Sequence, residues 1–181
     1  MSTNNTLIRS LHDLGLAAWF GGYLMGAVGL NGAAASARDR TERLTISSKG
    51  WARWVPVQLA ALIAHGIGGV GLIAANRGRL AVQQQGRANT AVKLGLTAAA
   101  LGASGWSAVL GAKIAKSSVV DREGGEGATE PDAGTSADLA AVQKQQRILQ
   151  WVTPVITAAL IVLAAQQGEQ QRVGVLRKLL S

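Results

Sequence analysis

Residues 14–37, LGLAAWFGGYLMGAVGLNGAAASA, carry no charge, and three later stretches (54–76, 94–112 and 148–168) are apolar runs of the same kind. As a helix, such a run rises roughly 1.5 Å per residue, and about 20 residues cross a hydrocarbon core. The pattern predicts an all-α polytopic membrane protein: a single transmembrane domain built as a four-helix bundle. Its helices are expected near 8–37, 52–76, 92–116 and 139–168.

Where the charges fall supports this reading. Hydrophobic residues make up 48% of the chain and charged residues 15%, and no acidic residue occurs between Glu42 and Asp121. A soluble bundle would place Glu and Lys on an exposed face of every helix. The net charge of +8 comes from Lys and Arg that flank the apolar runs. They read as topology signals and lipid-headgroup contacts. Nucleic-acid binding is not expected, because that needs a basic face interleaved with aromatics. There is no cysteine, which removes disulfides, thiolate metal sites and cysteine nucleophiles. Ala35-Ser36-Ala37 resembles a signal-peptide cleavage site, but the run before it is longer than a signal's apolar region, so it is expected to stay and pack.

Small residues mark the expected packing faces. Gly15, Gly22, Gly26 and Gly29 recur at helical spacing in the first run, and Ala61, Ala64, Gly68 and Gly71 do so in the second. In lipid, such stripes let helix backbones approach closely, here as an antiparallel hairpin. Gly66 to Gly71 also matches G-x-G-x-x-G, but a dinucleotide site would need a preceding strand and a downstream acid, and the region has neither.

Between the runs, Trp51 and Trp54 mark a membrane interface. The third run is rich in Gly, Ala, Ser and Thr and is expected to be well covered by its neighbours. Residues 121–138, DREGGEGATEPDAGTSAD, have the acidic, Gly-rich composition of a flexible loop. Pro154 leaves the Gln150 carbonyl without its helical donor, with Thr153 or Thr157 placed to resatisfy the backbone. Residues 169–181 read as a short interfacial tail.

His65 is the most informative single residue, since an ionisable group at mid-membrane is costly and faces the protein interior or a wet cavity. Tyr23, Ser104, Ser107, Thr153 and Thr157 are expected at its depth, with Gln58 two turns away on its face. A second polar cluster, His12, Asp13, Asn76 and Glu169, is expected at the membrane edge, capping helix ends. Counted from that edge, His12 and His65 differ in depth by about 15 Å, too far for one haem iron to join them within a monomer. No H-E-x-x-H, G-x-S-x-G or phosphate-binding loop is present. Neither catalytic residues, a metal site nor a cofactor is expected, and the chain does not read as an enzyme.

The segments LHDLGLAAWFGGYLMGAVGLNGAA, GWARWVPVQLAALIAHGIGG and LQWVTPVITAALIVLAAQQGEQQR resemble a group of uncharacterised actinobacterial four-helix integral membrane proteins. That resemblance implies the bundle and a bacterial inner membrane, and assigns no site residues. The opening LH…WFGG is also similar to the first helix of copper-resistance D-type membrane proteins. The methionine and cysteine ligands that copper would require are lacking.

Abundant packing surface beside little chemistry leads to one expectation ahead of others. The chain reads as a small integral-membrane scaffold or accessory subunit in the cell membrane, acting on itself as a homo-oligomer or within a larger membrane complex, with the lipid bilayer as its other partner. The alternatives are an oligomeric channel or carrier whose path His65 lines, and a haem-binding membrane protein. The acidic loop makes its own side the less basic overall, so the termini are expected to be cytoplasmic.

Overall fold

The computed structural model describes the backbone of residues 3–179 and the side chains of residues 5–78 and 81–166. It is all-helical, with no strand among the described residues, and four of its helices are long and apolar enough to cross a membrane. The first is α1 (Thr3–Met25), continued through a π-helical turn (Gly26–Leu30) into α2 (Asn31–Ala35). A tight turn leads into α3 (Arg40–Ala75). After α4 (Arg77–Val82) come α5 (Gln84–Val119) and α6 (Ala137–Leu179). Each long helix runs antiparallel to the next. Around the bundle α1 packs on α3 and α6, and α5 packs on α6 and, more sparsely, on α3.

The helices begin earlier than their apolar runs. The basic connection after Ala37, expected to lie outside the second helix, forms the first turns of α3, because the Asp39 carboxylate accepts from the Glu42 amide (2.9 Å) and caps it. At 36 residues, α3 and α5 are each about 54 Å long. Both therefore outreach a hydrocarbon core of about 30 Å. The link after Asn76 is likewise helical except at Gln83, whose extended backbone separates α4 from α5. The expected interfacial tail continues α6 without a break as far as Leu179, and its side chains lie outside the described residues.

The seam between α1 and α3 is where the glycines act. A methyl added at Gly15 would sit 2.5 Å from the Ala61 carbonyl oxygen and 2.6 Å from the His65 amide nitrogen. One added at Gly68 would collide with the His12 backbone, and one at Gly71 would meet Ile8. Nearer the loop end, Gly22 and Gly26 take the faces of Trp54 and Trp51. Ala61 is buried and Ala64 half-buried. Gly29 departs from the expected stripe: it is exposed, and among the described residues a methyl there would meet just the Met25 side chain, one turn earlier. The π turn explains this, since the Asn31 amide bonds back to the Gly26 carbonyl five residues earlier and rotates everything beyond. Asn31 then faces the core in place of Gly29.

Two apolar clusters fill the interior. Leu16, Trp19, Tyr23, Ala100 and Leu160 form one at mid-bundle, and Leu44, Ile114 and Leu139 the other at the loop end. The third run is not covered as expected. Gly95, Ala98, Leu101, Gly102, Gly105, Trp106 and Val109 of α5 all face outward.

The acidic connection does not behave as the flexible loop its composition suggests. It folds back onto the end of the bundle and buries Ala128 and Thr129. Its acids and glycines have partners far away in the chain. Asp132 makes a two-pronged ion pair with Arg40, whose Nε lies 2.7 Å from Oδ2. Arg43 donates to the Gly125 and Glu126 carbonyls (3.4 and 3.1 Å). Close approach explains the glycines: a methyl at Gly124 would lie 2.5 Å from the Arg40 Cβ, and one at Gly125 would lie 2.7 Å from the Gln143 amide nitrogen.

Candidate functional site

Three polar groups sit along the bundle axis, and they regroup the residues singled out from sequence. Nearest the free ends of α1 and α3, the rings of His12 and His65 stack with centroids 4.3 Å apart and planes inclined by 34°. His65 Nδ1 lies 3.1 Å from the His12 carbonyl oxygen. That oxygen can only accept, so Nδ1 carries the proton and Nε2 is left as an acceptor in the neutral ring. His12 Nδ1 in turn lies 2.9 Å from the Asp13 carboxylate.

This overturns the expected 15 Å difference in depth between His12 and His65. α1 starts at Thr3 rather than at a membrane edge beside His12, which places His12 nine residues into α1 (12 − 3) and His65 ten residues before the end of α3 (75 − 65). Antiparallel helices bring those positions level. Rings in contact leave no room for a macrocycle between them, so a haem sandwiched by this pair within one chain does not fit. Asn76, expected in an edge cluster with His12 and Asp13, donates to its own helix at the Leu72 carbonyl (2.7 Å) and closes α3. It lines, with His12, Asp13 and His65, a cavity of about 260 Å³ that also includes Arg9 and Lys93. The Glu169 side chain lies outside the described residues.

The second group is at mid-bundle. Trp19 Nε1 donates to Ser104 Oγ (3.1 Å) and Tyr23 Oη to the Ser104 carbonyl (3.4 Å). Ser107 Oγ accepts from Gln146 Nε2 (2.7 Å). Among the described residues, the ring contact that connects this group to the histidines is that of Trp19 with His65, whose centroids lie 5.9 Å apart at an interplanar angle of 66°. Tyr23, Ser104, Ser107, Thr153 and Thr157 are therefore not the partners of His65 that equal depth suggested. On α6, Thr157 Oγ1 donates to the Thr153 and Pro154 carbonyls (2.8 and 3.2 Å), not to the carbonyl of Gln150 that Pro154 leaves free. Thr153 is fully buried, and its hydroxyl has no partner among the described residues. Gln58, also apart from His65, accepts from Trp54 Nε1 (3.0 Å) one turn away.

A third group, at the loop end, was not foreseen. Asn31 Oδ1 accepts from Ser47 Oγ (2.8 Å) and Trp51 Nε1 (3.1 Å), while its Nδ2 donates to Gln150 Oε1 (3.0 Å). Gln150 Nε2 donates to Thr129 Oγ1 (3.3 Å), which donates to Glu130 Oε1 (2.7 Å). An indole N–H can only donate, so Trp51 sets the orientation of both amides and hence the direction of the whole chain of bonds. Gln143, fully buried, donates to the Gly127 and Ala128 carbonyls (3.1 and 3.4 Å) and pins the loop. A signal for this group was present in the sequence. Gln143, Gln146, Gln150, Thr153 and Thr157 are spaced by three and four, a polar stripe that enters the last apolar run, and Asn31 is the sole amide side chain in the first.

Between α3 and α5 the seam stays open as a groove of about 460 Å³. It is floored by Tyr23, Asn31 and Gln146 and closed at the loop end by Ala128 and Thr129. Among the described residues no cluster of three or more His, Asp or Glu converges as a metal ion would require. No protein-family model, curated protein or solved structure matches this chain.

Proposed function

We propose that this chain is an integral-membrane scaffold or accessory subunit that works by helix packing, with itself or within a larger membrane complex. The observation that supports it is the outer face of α5. A methyl at Gly95, Gly102 or Gly105 would meet nothing within 4 Å, whereas Gly15, Gly22, Gly26, Gly68 and Gly71 are all filled by a neighbouring element. With the exposed Ala98, these glycines make a small-residue stripe at helical spacing on a helix that is less hydrophobic than α3 or α6. Such a surface is the kind that a further transmembrane helix packs against. Co-purification from native membrane in mild detergent tests the reading. Gly102→Leu with Gly105→Leu should abolish association and leave the bundle's own melting unchanged, and a wild-type protein that is strictly monomeric and partnerless would sink it.

A second reading has its own support in the cavity beside His12 and His65. There the chain acts as an oligomeric carrier or channel for a small solute, and His65 lines the path. Solute flux in liposomes that is abolished by His65→Gln, in a variant that still melts as wild type, separates this from the scaffold. In either reading the protein sits in the cell membrane with cytoplasmic termini, so a C-terminal reporter active only in the periplasm would reverse the orientation.

A further inference from the structure

Residues 124–135 of the acidic connection form a loop with a closed neck. The Ser136 amide donates to the Glu123 carboxylate (3.0 Å), and Thr135 Oγ1 donates to the Gly124 carbonyl (2.9 Å). The neck is fixed to both flanking helices, since the Glu123 amide bonds to the Ser117 carbonyl of α5 (3.0 Å) and Ser136 Oγ accepts from the Leu139 amide of α6 (3.2 Å). Short loops whose ends lie together in this way move as units and often carry function. The apolar side chains between Gly124 and Thr135 are those of Ala128, Pro131 and Ala133. Little hydrophobic burial therefore holds the segment down, which is the mark of a part that opens on its own.

What the segment covers is the loop end of the α3–α5 groove, where Ala128 and Thr129, 3% and 2% exposed, complete the lining. Closing it has a cost. Gln143, fully buried beneath it, spends Nε2 on the Gly127 and Ala128 carbonyls, so its Oε1 is an acceptor with no donor among the described residues. Once the segment lifts, water supplies that donor and also replaces the partners that Gln150 Nε2 and Arg43 lose. Against this stands the ion pair of Arg40 with Asp132, whose side chains are 44% and 27% exposed. Water competes for such a pair, so its hold is modest.

We propose that residues 124–135 are a strap that shuts the α3–α5 groove from water, is latched by Arg40 and Asp132, and swings out about its neck while the four-helix bundle stays packed. The strap is independent of both functional readings, since Gly102 lies outside the groove and the cavity beside His12 and His65 shares no lining residue with it.

The chain has no cysteine, so a single Ser47→Cys, at a groove-lining position 4% exposed, reports entry from water of a charged, membrane-impermeant methanethiosulfonate reagent in nanodiscs. Modification should be slow in the otherwise wild-type protein. Adding Asp132→Asn should accelerate it about fivefold, the upper range for a partly exposed ion pair. Gly124→Ala leaves every charge in place but sets a methyl 2.5 Å from the Arg40 Cβ in the closed form, and should accelerate modification about tenfold. Thr157→Cys, fully buried and outside the groove, should stay unreactive in all three backgrounds. Ser47→Cys rates that are equal in the three backgrounds, whether fast or slow, overturn the strap. Reactivity of Thr157→Cys that rises in step with that of Ser47→Cys also overturns it, because the whole bundle would then be loosening.

Discussion

His65 donates from Nδ1 to the carbonyl oxygen of His12 at 3.1 Å, across a helix seam with Gly15 and Gly68 on either side of it. The bond exists because the glycines let the two backbones approach until a side chain on one helix reaches the main chain of the other. Removing it should cost stability without changing the fold. His65→Gln can keep a donor in place, whereas His65→Leu cannot and should lose about 1–2 kcal/mol, as for interhelical bonds in membrane model peptides. Thermal denaturation in one detergent compares the three proteins, and equal stability of wild type, Gln and Leu would contradict a structural role for this bond.

Glycine substitutions should divide sharply by face. Gly68→Ala drives a methyl into the His12 backbone and must push α1 from α3, at about 1–3 kcal/mol. Gly66→Ala, two residues away, meets nothing within 4 Å and should be neutral or slightly stabilising. Unfolding of both variants in mixed micelles checks the contrast. A Gly66 variant as damaged as the Gly68 variant would mean that helix propensity, not packing, sets the effect.

The amide chain at the loop end should be cooperative. Asn31→Leu leaves Gln150 Oε1, Ser47 and Trp51 Nε1 without their partner in a buried site, a loss of about 1–3 kcal/mol. Because Asn31 and Gln150 bond directly, a double-mutant cycle with Gln150→Leu should show coupling of about 0.5 kcal/mol or more. Additive losses would show that the two amides act independently.

Acid should release the loop first. At Asp132 partial desolvation opposes ionisation, but the Gly134 amide, the Arg40 guanidinium and the Thr135 hydroxyl outweigh it and hold the carboxyl below its usual range. A carboxyl lowered on folding stabilises above its unfolded pKa, and that contribution disappears as pH falls through the folded value. Amide exchange in residues 124–135 should therefore accelerate on acidification below about pH 4. Asp132→Asn should show raised exchange at neutral pH with a flatter response, and a loop better protected in acid than at neutral pH would reverse the sign.

Much of the α1–α3 seam was legible in the chain, because helical spacing alone puts Gly15, Gly22, Gly26, Ala61, Gly68 and Gly71 on facing stripes. Gly29 was misplaced because one π turn rotates all that follows it, and short-range spacing carries no warning of an extra residue in a turn. The loop was misread for a different reason. Its acids and glycines look solvated and flexible until Arg40 and Arg43, 82 to 92 residues before their partners in the chain, come to lie under them.

What the sequence determined by itself was the number of spans, their helical form and their small-residue faces, since apolar length, charge placement and a period of 3.6 are local properties of the chain. Tertiary structure alone decided that His12 and His65 touch, that Asn31 joins Gln150 and that the α3–α5 seam stays open. Each depends on the axial register between helices, and register is set by how far every helix extends past its apolar run and by what the glycines allow to approach. Neither quantity belongs to any single segment.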